Sequence, residues 1–130
     1  MLLDTHTLLW AIGKTDELSE TVTHAIKNPN NEILVSAVSL WEIALKYGLG
    51  KLSVGFDIEQ IPEYCKQMDF ALIPLEPLDA LSALRLPQKQ NHKDPFDRML
   101  IYQYIKNEYT LISRDTRIKL YKDDGLKYIW

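Results

Sequence analysis

Short apolar runs alternate with longer stretches of helical spacing along this chain, and that alternation restricts the fold more than any other feature. The runs that read as strands are Met1–Asp4, Glu32–Ser36, Ala71–Pro74, Thr110–Ser113 and Lys127–Ile129. Between them Thr7–Ile12, Ser19–Lys27, Ser39–Tyr47, Ile58–Met68, Pro77–Leu84 and Pro95–Asn107 carry the apolar spacing of a helix face. Strands separated by helical crossovers pair in parallel, so the expected fold is α/β with a mostly parallel sheet. Gly48 and Gly50 read as the stop signal of the third helix, and the polar, Pro87-containing stretch Leu86–Lys93 as a loop. No repeat, low-complexity tract or Gly/Ser/Pro-rich linker interrupts the pattern. With 130 residues the expectation is one domain spanning 1–130 around one core.

The single cysteine, Cys65, excludes an internal disulfide, suits a reducing compartment and reads as a packing residue. No apolar run approaches the roughly 20 residues that cross a bilayer. Met1-Leu2-Leu3 leads at once to Asp4 with no basic stretch, so a soluble, cytoplasmic protein with no membrane partner is expected. The net charge of −3 is uneven: Arg85–Lys122 holds nine basic and four acidic residues, a local +5 that leaves −8 elsewhere. Such a region can attract phosphates, although a solvated charged surface accounts for it equally well.

Four acids stand where the chain changes state. Asp4 follows the first strand and Asp115 follows Leu111-Ile112-Ser113; Glu42 and Asp97 fall in the first turns of the helices that follow Ser36 and Asp94-Pro95. In open α/β sheets, ligands bind beyond the carboxyl ends of the strands, so all four acids point to one sheet edge. Carboxylates gathered there raise each other's pKa unless a cation sits among them, and a hard divalent ion such as Mg²⁺ or Mn²⁺ takes oxygen ligands. Each acid also has a plainer reading. Ser39-Leu40-Trp41-Glu42 has the form of a capping box, and Glu42 stands four residues before Lys46 as in an ordinary surface pair. Asp94 before Pro95 reads as a helix cap, and Asp4 and Asp115 could also be caps. Asp97 is the acid most in need of a ligand, because it heads the apolar row Asp97, Ile101, Ile105.

Leu2-Leu3-Asp4-Thr5-His6-Thr7-Leu8-Leu9-Trp10 resembles the opening of a PIN-domain protein. Ser36-Ala37-Val38-Ser39-Leu40-Trp41-Glu42-Ile43-Ala44 resembles the second motif of that family. His92-Lys93-Asp94-Pro95-Phe96-Asp97-Arg98-Met99-Leu100-Ile101 resembles the third and Leu111-Ile112-Ser113-Arg114-Asp115 the fourth. The branch it is most similar to is that of the VapC-like toxins of prokaryotic type II toxin–antitoxin systems. The resemblance implies a three-layer domain with four or five strands in the order 3-2-1-4-5. It also implies an endoribonuclease dependent on Mg²⁺ or Mn²⁺, with an RNA substrate, a cognate antitoxin and a homodimer. Carried over residue by residue, the acids are Asp4, Glu42, Asp97 (rather than Asp94) and Asp115, with Thr5 and Ser113 as supporting polar groups. Asp4 and Asp97 are the implied direct metal ligands, and Glu42 and Asp115 complete the coordination directly or through water.

Lys93, Arg98 and Arg114 are candidates for guiding RNA phosphates, with a bland surface role equally open. His6, His24 and His92 form no catalytic motif. A haloacid-dehalogenase-like phosphatase would need a second aspartate two positions after Asp4, where this chain has His6. The alternative is a PIN-fold nucleic-acid-binding or scaffold protein without a toxin role; a scaffold with a decayed site would have lost a carboxylate, and none is missing. On the helix of the second motif, Leu40, Trp41, Ile43, Tyr47 and Leu49 are more apolar than a single core face requires and suit a groove for an amphipathic partner helix; inward packing competes with that reading more at Leu40, Ile43 and Tyr47 than at Trp41 and Leu49.

Overall fold

The computed structural model describes residues 1–89 and 93–130. His92 of the third motif and part of the expected loop Leu86–Lys93 lie outside the described residues. Five parallel strands form one sheet: β1 (Leu2–Leu3), β2 (Ile33–Ser36), β3 (Phe70–Ile73), β4 (Thr110–Ile112) and β5 (Lys127–Ile129). Their order is β3-β2-β1-β4-β5, as the resemblance implied. Among the described residues six α-helices connect and cover them: α1 (Thr5–Gly13), α2 (Glu20–Lys27), α3 (Ala37–Gly48), α4 (Ile61–Gln67), α5 (Pro77–Ser82) and α6 (Pro95–Lys106).

Successive residues of a strand face opposite sides of the sheet, and here that alternation separates two cores. Leu3, Ile33, Val35 and Ile112 pack with Leu8 of α1, Val22 of α2, Ile43 of α3 and Ile61 and Cys65 of α4. Leu2, Leu34 and Leu111 pack on the other face with Leu100, Ile101 and Tyr104 of α6 and with Ile118 and Tyr121. The result is helices, sheet, helices. Cys65 is a core residue whose thiol burial pushes to a higher pKa, in keeping with packing rather than chemistry. Among the described residues no helix is long and apolar enough to cross a membrane.

The helix starts explain where the structure departs from the sequence pattern. Asp4 accepts a hydrogen bond from the Thr7 amide at 2.7 Å, so α1 begins two residues earlier than its apolar spacing suggested. Ser36 likewise caps α3 by accepting from the Val38 amide at 3.1 Å. The expected Ser39–Glu42 capping box therefore does not form; Ser39 is buried within the helix, and Glu42 stands in its second turn. The segment expected as one helix over Ile58–Met68 opens with a 3-10 turn, Ile58–Gln60, before α4. Thr116–Asp124, which had no helical reading, is 3-10, and its buried Ile118 and Tyr121 are three apart as that helix requires. Gly125 closes it in the left-handed region at φ 96°.

Helix α6 is fastened to the carboxyl ends of the central strands by polar groups inside the core. The Tyr104 hydroxyl donates to the Leu3 carbonyl at 3.1 Å. The Ser36 hydroxyl donates to Gln103 Oε1 at 2.6 Å, and Gln103 Nε2 donates to the Pro74 carbonyl at 3.2 Å. These bonds set α6 against β1, β2 and the end of β3. Because β1 is short, fully buried and central, Leu3→Ala should destabilise the fold by about 2–5 kcal/mol. Leu84→Ala, at a side chain that is 88% exposed, should stay within about 0.5 kcal/mol of wild type. Urea unfolding followed by circular dichroism distinguishes the two.

Candidate active site

The strand order reverses at β1, whose neighbours β2 and β4 lead away in opposite directions along the sheet. At such a switch point the connections diverge and leave a crevice at the carboxyl ends of the strands. Asp4, Glu42, Asp97 and Asp115 all line one cavity of about 100 Å³ at that point, together with Thr5, Ser113 and Tyr104. Four separate segments of the chain therefore deliver carboxylates to one place.

Asp4 is held by its capping bond to Thr7, and its amide donates to the Ile112 carbonyl of β4 at 3.1 Å. Burial pushes its carboxyl above the usual range, while hydrogen bonds from Ser113 and Thr7 oppose the shift. Glu42 is almost completely buried, receives the Thr5 hydroxyl on one oxygen and meets the Lys46 ammonium on the other. The spacing of four residues is that of the anticipated Lys46 pair, but the acid lies inside the protein rather than on its surface. Burial pulls the pKa of Lys46 down; the bond and charge of Glu42, helped by Asp94 and Asp97, outweigh that and hold it up.

Asp94 caps α6, accepting from the amides of Phe96 at 2.9 Å and Asp97 at 3.2 Å, and this leaves Asp97 in the first turn facing the cavity. Asp115 follows β4 and caps the 3-10 segment by accepting from the Arg117 amide at 2.8 Å. The Ser113 hydroxyl accepts from the Asp115 amide at 3.1 Å, so one serine braces both Asp115 and Asp4. The guanidinium of Arg117 reaches Asp115 at 2.6 Å and Asp97 at 3.5 Å. Beneath the group lies the phenol of Tyr104, kept neutral to high pH by burial and then by the charges of Asp4, Asp97 and Glu42.

The basic residues of the cavity are not those the sequence suggested. Arg98 is turned away: its guanidinium donates to the Leu86 and Pro87 carbonyls at 2.7 and 3.2 Å, so it holds a loop in place. Lys93 is exposed and lies outside the cavity lining, and Arg114 is set over the Trp10 ring and near Glu17. Lys46 and Arg117 line the cavity instead. The signal for Lys46 was its helical spacing from Glu42; Arg117 had none beyond its nearness to Asp115.

All the acidic donors are carboxylate oxygens, which is the chemistry of a hard divalent ion. Among the described residues no three carboxylate, imidazole or thiol groups converge closely enough to enclose an ion by themselves.

An α/β fold with this switch-point cavity defines a PIN-domain protein: a family model described as PIN domain matches residues 1–123, and the chain belongs to that family. It is 23% identical over 134 residues to Ribonuclease VapC22 of Mycobacterium tuberculosis (strain ATCC 25618 / H37Rv), covering 100% of this chain and 98% of that protein. In three dimensions it is similar to a chain in the crystal structure of VapBC2 from Rickettsia felis bound to a DNA fragment from their promoter. There the TM-score is 0.63 at 20% identity, with 98% of this chain and 96% of the other covered.

The raised pKa of Asp4 carries a definite linkage. Without a bound cation, its ionised form costs stability that is absent below its ordinary value of 3.8 and fully felt above the raised value. Asp4→Asn keeps a capping oxygen and removes the charge. In EDTA its unfolding midpoint should match wild type at the acid end and exceed it increasingly as pH rises through that window, then hold a constant margin. Calorimetric scans at a series of pH values check this.

Proposed function

We propose that this chain is a divalent-metal-dependent endoribonuclease, the toxin of a type II toxin–antitoxin pair that acts in the cytoplasm. The observation that carries the reading is the convergence of four carboxylates from four chain segments on one switch-point cavity. Likeness to a protein named a ribonuclease, and to a chain in a VapBC2 assembly, supports it.

Hydrolysis of a phosphodiester requires a nucleophilic water, neutralisation of the charge on phosphorus and stabilisation of the departing oxygen. A divalent cation, when bound, supplies an acidified water and a clamp on phosphate oxygens. Asp4 and Asp97 would hold it. Glu42, fixed by Thr5 and Lys46, orients water at its buried end of the cavity, and Asp115 does so at the open end. Ser113 keeps Asp4 and Asp115 in register. Lys46 and Arg117 offset the repulsion that the acids would otherwise exert on an approaching phosphate.

The partners in this reading are RNA, a cognate antitoxin and a second copy of the chain. Exposed apolar side chains support the two protein contacts: Trp41 and Leu49 are both 60% exposed, and Leu78, Leu81 and Leu84 are 67, 75 and 88% exposed. Tyr47, where inward packing competed with a surface role, joins the exposed set at 46%.

With candidate RNAs and Mg²⁺ or Mn²⁺, the purified chain should cleave, and EDTA should stop it. Glu42→Gln should lower kcat by at least about a hundredfold while leaving the circular dichroism spectrum unchanged, whereas Asp94→Asn should keep most activity because asparagine also caps. A folded, fully active Glu42→Gln enzyme would falsify the role given to Glu42.

A further inference from the structure

Helix α1 turns an unusual face outward. Thr7, Leu8 and Ala11 are buried, but His6 is exposed and Trp10 only half-buried, and Lys14 follows four residues further on. The His6 and Trp10 rings are 5.9 Å apart at 44°. Together with Val54, Phe56 and Tyr64 they line a groove of about 700 Å³. Phe56 and Tyr64 brace each other edge to face at 5.8 Å, and the ring of Phe56 presses so closely on the end of α1 that a Cβ at Gly13 would lie 3.0 Å from it. Trp10 is steadied on its other side by Trp130, 5.5 Å away, and the guanidinium of Arg114 stands 5.9 Å over its ring.

Two features single this groove out. It adjoins the acid cavity, since His6 lines both and follows directly on Thr5, which bonds Glu42. It also combines aromatic rings with Lys14, next to a cavity whose own surface is crowded with acids. We propose that this groove is a nucleobase subsite, in which an unpaired base of the RNA next to the scissile phosphate stacks on Trp10 and His6. The assignment rests on the nuclease reading and deepens it by naming the side chains that would hold the substrate beside the cut. Every base has a π-face, so aromatic rings hold a strand without reading its sequence, and Lys14 meets a flanking phosphate. A groove of this volume accommodates a nucleoside.

The experiment is a cycle between protein and substrate. The cut in a short labelled single-stranded RNA is first mapped with wild type and Mn²⁺, and RNAs are then made with an abasic ribose on either side of it. At one of the two positions the abasic RNA should lose roughly tenfold in kcat/KM, mainly through KM, with wild type. Trp10→Leu should lose about as much on intact RNA and nothing further on the abasic one. In EDTA, fluorescence anisotropy should show Trp10→Leu binding the intact RNA roughly tenfold more weakly. Should Trp10→Leu melt below the assay temperature, His6→Ala, at an exposed position, runs the same cycle with a smaller expected loss. Additive losses, or equal RNA binding by variant and wild type, overturn the subsite; so does loss of binding to a co-encoded small protein with RNA binding intact, which makes the groove a protein dock. A wild type that binds RNA through Trp10 yet cleaves none contradicts the nuclease reading and leaves the subsite standing.

Discussion

Like charges brought together in a poorly hydrated crevice repel, and this fold collects four carboxylates in one. Most of what surrounds them relieves that repulsion. Lys46 pairs with Glu42, Arg117 lies between Asp97 and Asp115, and the Thr5 and Ser113 hydroxyls donate to Glu42 and Asp4. The relief is incomplete at Asp4, whose carboxyl burial still drives upward. A fold selected for stability alone would gain by replacing that group with a neutral one. Its retention is intelligible if a divalent cation supplies the missing charge.

The architecture that makes the collection possible is economical. All four segments that carry the acids use a polar side chain to start a helix beside the cavity: Asp4 for α1, Ser36 for α3, Asp94 for α6 and Asp115 for the 3-10 segment Thr116–Asp124. Each cap fixes a turn, and the turn fixes an acid. Asp4 serves as cap and site residue at once, whereas Asp94 takes the capping role and leaves Asp97 to the cavity. Tyr104 and Gln103 then tie α6 to the strand ends, so that Asp97 and Asp4 keep their spacing.

The alternation of runs made the sheet and its helices legible, and the acids could be placed because strand ends and helix starts leave clear marks. What could not be read follows from the same logic. Ser36 and Ser39 are both serines ahead of an apolar helix, and only the tertiary setting makes Ser36 the cap and buries Ser39. The 3-10 segment Thr116–Asp124 lacks the α-helical period and showed no pattern. Basic residues were harder still. Arg98 and Arg117 are alike in sequence, but long side chains choose their partners in three dimensions; one went to loop carbonyls and the other to the acids. Trp10 and His6 appeared only as members of the first motif with no role of their own, and their place in a groove depends on Phe56 and Tyr64, far away in sequence.

The central claim is that these carboxylates form a divalent-cation site, and the most direct measurement is calorimetric titration of the folded protein with Mn²⁺ at neutral pH. The account predicts saturable binding that releases protons and raises the unfolding temperature. Asp97→Asn, equally folded, should bind at least about tenfold more weakly, because it removes a charged ligand. Equal Mn²⁺ affinity in wild type and Asp97→Asn would place the cation elsewhere and contradict the account.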